Sequence, residues 1–333
     1  MIPPTNSLVI PVYRNEENIP TLLEELSGIA GSLSAPLEVV FVVDGSPDAS
    51  YELLRSTFSE TAPPYVVVLV RHARNFGSFA AIRRGMSIAS GARIAVMAAD
   101  CQEPPSLVVE FFQTLASEPV DVVLGVRASR ADPFLSRLAS SIYWGLYSRL
   151  IQAEMPSGGV DVFACRSEVR DVLVGLSEAN SSLVGQLCWV GYRRKLVSYD
   201  RRAREHGKSA WTLPRKLRYM LNSAFGFSDL PINLLLAVGT LGLLASLGLS
   251  IVVFVSWWFS LIEVKGYVPL MLTILASTSL NVLCLGILGS YIWRTFENTK
   301  GRPLSLELSR EHFSAGGLAG GEDLTPSLSE DDS

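Results

Sequence analysis

The chain has 333 residues, is 48% hydrophobic, and sets 28 Lys and Arg against 32 Asp and Glu for a formal net charge of −4. That balance excludes the basic footprint of a nucleic-acid-binding protein, and the length allows one large or two small soluble domains with residues to spare. Much of the negative charge lies at the end, in Glu322, Asp323, Glu330, Asp331 and Asp332.

The run Ser7–Tyr13 reads as a buried strand that ends in a loop. Asn18 is placed to cap a helix that has Pro20 in its first turn and reaches roughly Leu33. Leu37–Val43 is a second apolar strand, and Asp44-Gly45-Ser46-Pro47-Asp48 is its turn. A helix over Tyr51–Phe58, a strand over Tyr65–Val70 and a helix over Phe79–Ala89 follow. Ala92–Ala99 is a fourth strand, Pro104 and Pro105 open another helix, and Val120–Val126 is a fifth strand. The strands are apolar throughout and alternate with helices. That pattern predicts an α/β fold with a mostly parallel sheet and helices on both faces.

In such sheets ligands bind beyond the carboxyl ends of the strands. Polar residues gather at those positions: Glu16 and Glu17, Asp44, Arg74 and Asn75, Asp100 and Gln102, and Arg127. Phe134–Ile151 then reads as a helix carrying Phe134, Tyr143, Trp144, Tyr147, Arg137 and Arg149, either packed on the sheet or lying on a membrane surface. Trp211–Phe227 reads as an interfacial helix leading into the first of two long uncharged stretches.

Those stretches lie between Asp229 and Glu263 and between Lys265 and Arg294. Each exceeds the roughly 20 apolar residues that cross a bilayer core as a helix. The expected division is a catalytic domain over 1–210, an amphipathic helix over 211–230, and two transmembrane helices near 231–259 and 267–293. A tail over 297–333 follows, disordered from about 314 on its Gly/Ser/Asp-rich composition. Arg215, Lys216 and Arg218 precede the pair and Arg294, Lys300 and Arg302 follow it, so the positive-inside rule puts both termini in the cytoplasm. Met1, Pro3 and Pro4 lead straight into a strand without a basic leader, so the anchor is read as internal. Cys101, Cys165, Cys188 and Cys284 are widely spaced, which fits a reducing compartment. His72, His206 and His312 are dispersed, so neither a zinc site nor a His-based triad is indicated. No G-x-x-x-x-G-K-[ST] or G-x-G-x-x-G loop is present.

The ordered set Ile10-Pro-Val-Tyr-Arg-Asn-Glu-Glu-Asn18, Val43-Asp-Gly-Ser-Pro-Asp48, Arg74-Asn-Phe-Gly77 and Asp100-Cys-Gln-Glu-Pro-Pro105 resembles the family-2 glycosyltransferases of the GT-A fold. Asn180–Leu183, Trp189-Val-Gly-Tyr192 and Arg201–Ser209, with two spans behind them, resemble the polyprenyl-phosphate branch of that family. The resemblance covers about residues 5 to 300 and implies an inverting transfer of one sugar from a UDP- or GDP-sugar to a polyprenyl phosphate, undecaprenyl phosphate in particular. The setting implied is the cytoplasmic face of a cell inner membrane, and the assembly implied is a homo-oligomer such as a tetramer.

Residue by residue, the resemblance places the nucleotide on Pro11, Tyr13, Glu17, Asp44, Arg74 and Asn75. It places the diphosphate under the loop of Arg201, Arg204 and Ser209, and the lipid phosphate on Arg127 and Arg137, because guanidinium matches phosphate geometry. Asp161, after the Gly158-Gly159 pair, falls beside the reaction centre. The family's D-x-D metal motif reads Ala98-Ala99-Asp100-Cys101-Gln102 here, so its first acid is absent. Asp100 and Gln102 remain to hold Mg²⁺ or Mn²⁺, which often binds through one or two carboxylates plus phosphate oxygens. Two other readings stay open. A processive polysaccharide synthase shares the soluble fold, but Gln186-Leu-Cys-Trp189 lacks the Arg of its Q-x-x-R-W motif and two spans are too few for a channel. A non-catalytic nucleotide-sugar-binding subunit would draw its support from Ala98.

Overall fold

The structure is a computed structural model that describes residues 4–127, 156, 160, 162–176, 178, 181–202, 225–228, 230–259, 266–314 and 317–323. Two compact units are present. The first is built on a nine-stranded sheet in the order β7-β5-β6-β4-β1-β2-β3-β8-β9. Its strands are β1 Asn6–Val12, β2 Leu37–Val43, β3 Val66–His72, β4 Arg93–Val96, β5 Val122–Arg127, β6 Val162–Arg166, β7 Arg194–Tyr199, β8 Glu307–Ser314 and β9 Gly317–Asp323. Strands β1 to β5 and β7 run in one direction, so their carboxyl ends share one edge. Strands β6 and β8 run against them.

Apolar runs form these strands because both faces are covered. On β1, Leu8, Ile10 and Val12 enter one core and Val9 enters the other, each with no exposed surface. The first core receives helices α1 (Ile19–Ser32), α2 (Ser50–Glu60) and α4 (Pro105–Ser117) through Leu22, Leu26, Leu54, Phe58, Phe111 and Leu115. The second receives α3 (Ser78–Ile88), α5 (Ser167–Gly175) and α6 (Leu183–Trp189) through Ala81, Met86, Leu173 and Leu187. Helix α3 lies so close to β1 that a Cβ on Gly85 would come within 2.3 Å of Val9 Cγ1.

Several expectations are corrected. The fourth strand stops at Val96 rather than Ala99, because the ladder from β1 to β4 runs through Asn6–Val9 and Pro11 has no N–H to carry it further. Asn18 precedes α1 without a side-chain capping bond; it is buried at the end of a 3₁₀ turn, Glu16–Asn18. Part of the tail is strand: β8 pairs with β3 and β9 with β8. Phe313, fully buried, packs on Phe58 at 5.8 Å. Glu311 accepts hydrogen bonds from Tyr51 Oη at 2.5 Å and Arg55 Nε at 2.9 Å. One buried ring and one satisfied carboxylate thus anchor β8, just ahead of the stretch whose composition reads as disordered. Residues 324–333, Phe134–Ile151 and residues 211–224 of the expected interfacial helix lie outside the described residues.

At the amino edge of the sheet, Glu38 is buried and accepts from Ser7 Oγ (2.5 Å), Ser90 N (2.8 Å) and Ser90 Oγ (2.8 Å), so this acid ties strands and α3 together.

The second unit contains α7 (Leu230–Trp258) and α8 (Tyr267–Thr299). Leu234, Leu241, Leu244, Ile251 and Val252 on α7 and Val282, Leu285 and Ile292 on α8 are exposed. The stretch Ala276–Thr299 is long and apolar enough to cross a membrane, and Pro231–Gly242 is a shorter apolar stretch. At the end of α8, Phe225 meets Tyr291 edge-on at 5.1 Å and Arg294 lies over the Phe225 ring at 5.0 Å.

Candidate active site

The site is a row of loops at the carboxyl edge of the sheet. The loop after β1 and the loop after β2 are locked to each other. Ser46 Oγ accepts the Arg14 N–H (2.8 Å), Ser50 Oγ accepts the Asn15 N–H (3.2 Å) and Asp48 Oδ2 accepts the Glu16 N–H (3.2 Å). Glu16 Oε2 returns the contact by accepting from Ala49 N at 2.9 Å. Asp48 also takes the hydroxyls of Ser46 (2.5 Å) and Ser50 (2.9 Å). Burial opposes ionisation of Asp48, but these hydroxyls and the Glu16 and Ser50 amides outweigh it and hold its carboxyl below the ordinary value. Arg14 adopts φ +56°, in the left-handed region that few side chains occupy, so this turn is held against a local preference. Arg14, Glu16, Glu17, Pro47 and Asp48 line an open cleft of about 260 Å³.

The loop after β2 and the loop after β3 are locked by Asp44. Its Oδ1 accepts from Phe76 N at 2.9 Å, its Oδ2 accepts from Gly77 N at 2.7 Å, and His72 Nδ1 lies 2.8 Å from Oδ1. Asp44 is 2% exposed. It sits beneath the Arg74–Gly77 loop, with both carboxylate oxygens on that loop's amides. Gly45 allows the approach: at φ +56°, a Cβ there would lie 2.3 Å from the Arg74 carbonyl carbon and 2.5 Å from Asn75 N. Above this base Arg74 and Asn75 are exposed, and the Arg74 guanidinium stacks over Phe76 at 4.1 Å.

The loop after β4 meets the chain leaving β7. Gln102 is buried, and its Oε1 accepts from Arg201 Nη2 at 2.5 Å. Its Nε2 donates to Arg202 O at 3.2 Å, and its own carbonyl accepts the Arg202 N–H at 2.9 Å. Arg202 is tied to Glu25 on α1. Cys101, at φ +53°, makes the tight turn between Asp100 and Gln102. Arg127 ends β5 opposite Tyr199 in the parallel ladder, one residue before Asp200 and two before Arg201.

Thus Pro11, Tyr13, Glu17, Asp44, Arg74, Asn75, Asp100, Gln102, Arg127 and Arg201 all fall at one edge of the sheet. Tyr13 is exposed beside the cleft, and Pro11 lies within β1. Asp161, Arg137, Arg204 and Ser209 lie outside the described residues. Sequence reasoning missed His72, which it dismissed as dispersed, and the locking roles of Ser46, Asp48 and Ser50. The signal for Asp48 was its place in the turn motif.

Among the described residues no group of three or more His, Cys, Asp or Glu gathers as a metal site. The donor set that remains, the Asp100 carboxylate and the Gln102 amide oxygen, is hard oxygen chemistry suited to Mg²⁺ or Mn²⁺. In the structure the Arg201 guanidinium occupies Gln102 Oε1, so an ion bound through this oxygen would have to displace that contact. By donor type alone the pair suits a divalent ion that takes its other ligands from a diphosphate.

Residues 7–174 match the model of Glycosyl transferase family 2. The chain belongs to this family and has its GT-A α/β fold; it is a glycosyltransferase. CsbB of Bacillus subtilis (strain 168), a protein named as a glycosyltransferase, is 30% identical over 297 residues, 89% of each chain. The undecaprenyl-phosphate 4-deoxy-4-formamido-L-arabinose transferase of Yersinia enterocolitica serotype O:8 / biotype 1B is 28% identical over 303 residues, 89% of this chain and 90% of its own. Among solved structures, glucosyl-3-phosphoglycerate synthase from Mycobacterium tuberculosis, in complex with Mn²⁺, UDP and phosphoglyceric acid, aligns with a TM-score of 0.46 and 16% identity over 68% of this chain and 80% of its own.

Proposed function

We propose that this glycosyltransferase moves one sugar, with inversion, from a UDP- or GDP-sugar to a polyprenyl phosphate at the cytoplasmic face of the inner membrane. The observation that carries the reading is the extent of the likeness to the Yersinia enterocolitica transferase. It runs over 89% of this chain, well past the catalytic family domain and into the apolar helices.

Sheet topology supports the membrane part. Strands β7 and β8 lie before and after α7 and α8 in the chain, yet belong to one sheet. A single crossing would separate them by a bilayer, so α7 and α8 cross twice or not at all. Helix α7 has 29 residues and α8 has 33. At about 1.5 Å per residue each exceeds a hydrocarbon core of about 30 Å. Ala276–Thr299 is apolar enough to span, which supports the reading of two crossings with both termini cytoplasmic.

In this reading Pro11, Tyr13, Glu17, Arg74 and Asn75 form the nucleotide face, and Asp44 holds its third loop in place. A divalent ion on Asp100 and Gln102 would neutralise charge on the departing diphosphate. Arg201, with Arg204 and Ser209 after it, closes over that group. Arg127 and Arg137 hold the lipid phosphate, and Asp161 orients it. A phosphate oxygen is already anionic at neutral pH, so it attacks the anomeric carbon as the nucleoside diphosphate leaves, without a strong general base. The test is a donor screen with purified full-length protein, labelled UDP- and GDP-sugars and undecaprenyl phosphate. The reading predicts label that partitions into organic solvent with one donor class; no organic-phase label with any donor defeats it.

A further inference from the structure

We propose that His72 is a positioning residue for the donor site, acting through Asp44 on the Arg74–Gly77 loop. The inference rests on the nucleotide reading of that loop. His72 ends β3, and its side chain is fully buried. A carboxylate only accepts, so the ring nitrogen 2.8 Å from Asp44 Oδ1 carries the proton, which fixes the Nδ1–H tautomer. The other nitrogen, Nε2, is buried and has no hydrogen-bond partner among the described residues. The ring is thus held by one polar contact and by its edge-on packing against Phe76 at 5.6 Å.

That one contact has leverage. Asp44 Oδ1 is shared between His72 and the Phe76 amide, and Oδ2 takes the Gly77 amide. Two backbone donors and one side-chain donor engage both oxygens of the buried carboxylate and set its plane. Without His72, Asp44 keeps its two amides but loses one of three donors, the one that ties the carboxylate back to β3. Gly77, at φ +99°, and Gly45, packed on the Arg74 carbonyl, leave the loop little intrinsic preference for its shape. The shape therefore depends on the carboxylate. The Ala73 N–H, between His72 and the loop, donates to Leu306 O at 3.0 Å, which pins the base of the loop to the segment entering β8. Only the outer part, Arg74–Gly77, is left for Asp44 to set. His72 touches no substrate in this scheme; it keeps Arg74 and Asn75 where a nucleotide meets them.

The test uses full-length protein in nanodiscs and three substitutions. His72→Asn places an amide nitrogen near the position of Nδ1, His72→Gln reaches toward that of Nε2, and His72→Leu offers no donor. UDP and GDP binding is measured by calorimetry, and amide hydrogen exchange is followed at Phe76 and Gly77. A hydrogen bond to a charged group supports about a tenfold effect. His72→Leu and His72→Gln are expected to weaken nucleotide binding about tenfold and to speed exchange at Phe76 and Gly77 by about as much. His72→Asn is expected to stay within about threefold of wild type in both. In turnover, donor KM rises while kcat and acceptor KM hold. Equal behaviour of the Asn, Gln and Leu variants, or unchanged exchange at Phe76 and Gly77 in His72→Leu, overturns the proposal. If His72→Leu fails to fold, the Asn and Gln pair decides alone. If wild type binds neither nucleotide, the donor reading has failed, and the exchange data still test the clamp by themselves.

Discussion

Gly45→Ala is the sharpest test of how the donor loops are held together. Two costs act at once. At φ +56° an alanine stands in the left-handed region, at a cost of roughly 1–2 kcal/mol. Its Cβ would also lie 2.3 Å from the Arg74 carbonyl carbon, against the 3.4 Å at which ordinary contact begins, so the Arg74–Gly77 loop must retreat by about 1 Å. Backbone shifts of this kind cost typically 1–3 kcal/mol. The lower entropy of an unfolded alanine returns about 0.4–1 kcal/mol. The net loss is therefore about 1–5 kcal/mol, which lowers Tm by roughly 2–18 °C for a catalytic unit of this size. A 1 Å misplacement at a substrate-positioning loop also costs on the order of a hundredfold in turnover efficiency. Gly28→Ala is the control, because Gly28 is an exposed residue of α1 and a Cβ added there would meet nothing within 4 Å, and alanine there gains about 1 kcal/mol of helix propensity. The assays are thermal unfolding and donor KM for both variants. A Gly45→Ala protein that melts with wild type and keeps its donor KM would refute the locked-loop geometry.

Other outcomes follow from the same contacts. Asp48 has a depressed carboxyl value in the fold, so its contribution to stability is complete above the unfolded Asp value and is lost as pH falls through the folded one. Asp48→Asn should accordingly flatten the decline in Tm between neutral and acid pH, relative to wild type. Glu311→Ala removes the acceptor of Tyr51 and Arg55 and should lower stability by about 1–3 kcal/mol in thermal unfolding, with donor KM little changed. Arg127→Ala is expected to raise KM for the lipid phosphate more than for the donor; equal losses in both count against its assignment. Chelation should abolish transfer and Mg²⁺ or Mn²⁺ restore it, whereas Asp100→Ala should bind the ion too weakly for restoration, read as ion binding by calorimetry in the presence of UDP.

Much of the sheet was legible because its strands are buried on both faces. Runs such as Leu37–Val43 need no partner to be recognised, and the polar residues that follow them fall at one edge once the strands are parallel. What was hidden depends on contacts between distant segments. Glu307–Ser314 becomes a strand because β3 offers an unpaired edge and Phe58 offers a ring to Phe313; neither fact is local to the tail. His72 carries no signal in a Val-Val-Val-Leu-Val-Arg-His run, since its partner lies 28 residues earlier. Asp44 was correctly placed at a strand end, but the direction of its carboxylate is set by the amides of Phe76 and Gly77. The short fourth strand was foreseeable in principle, because Pro11 removes a donor from the facing edge of β1.

The most direct measurement is mass spectrometry of the product formed by the full-length enzyme in nanodiscs, offered polyprenyl phosphate and a short water-soluble alkyl phosphate at equal concentration. The expected product is a polyprenyl phosphate carrying a single sugar, with little product on the soluble phosphate. Longer sugar chains on the lipid, or equal use of the soluble phosphate, would contradict single-sugar transfer to a membrane-borne acceptor.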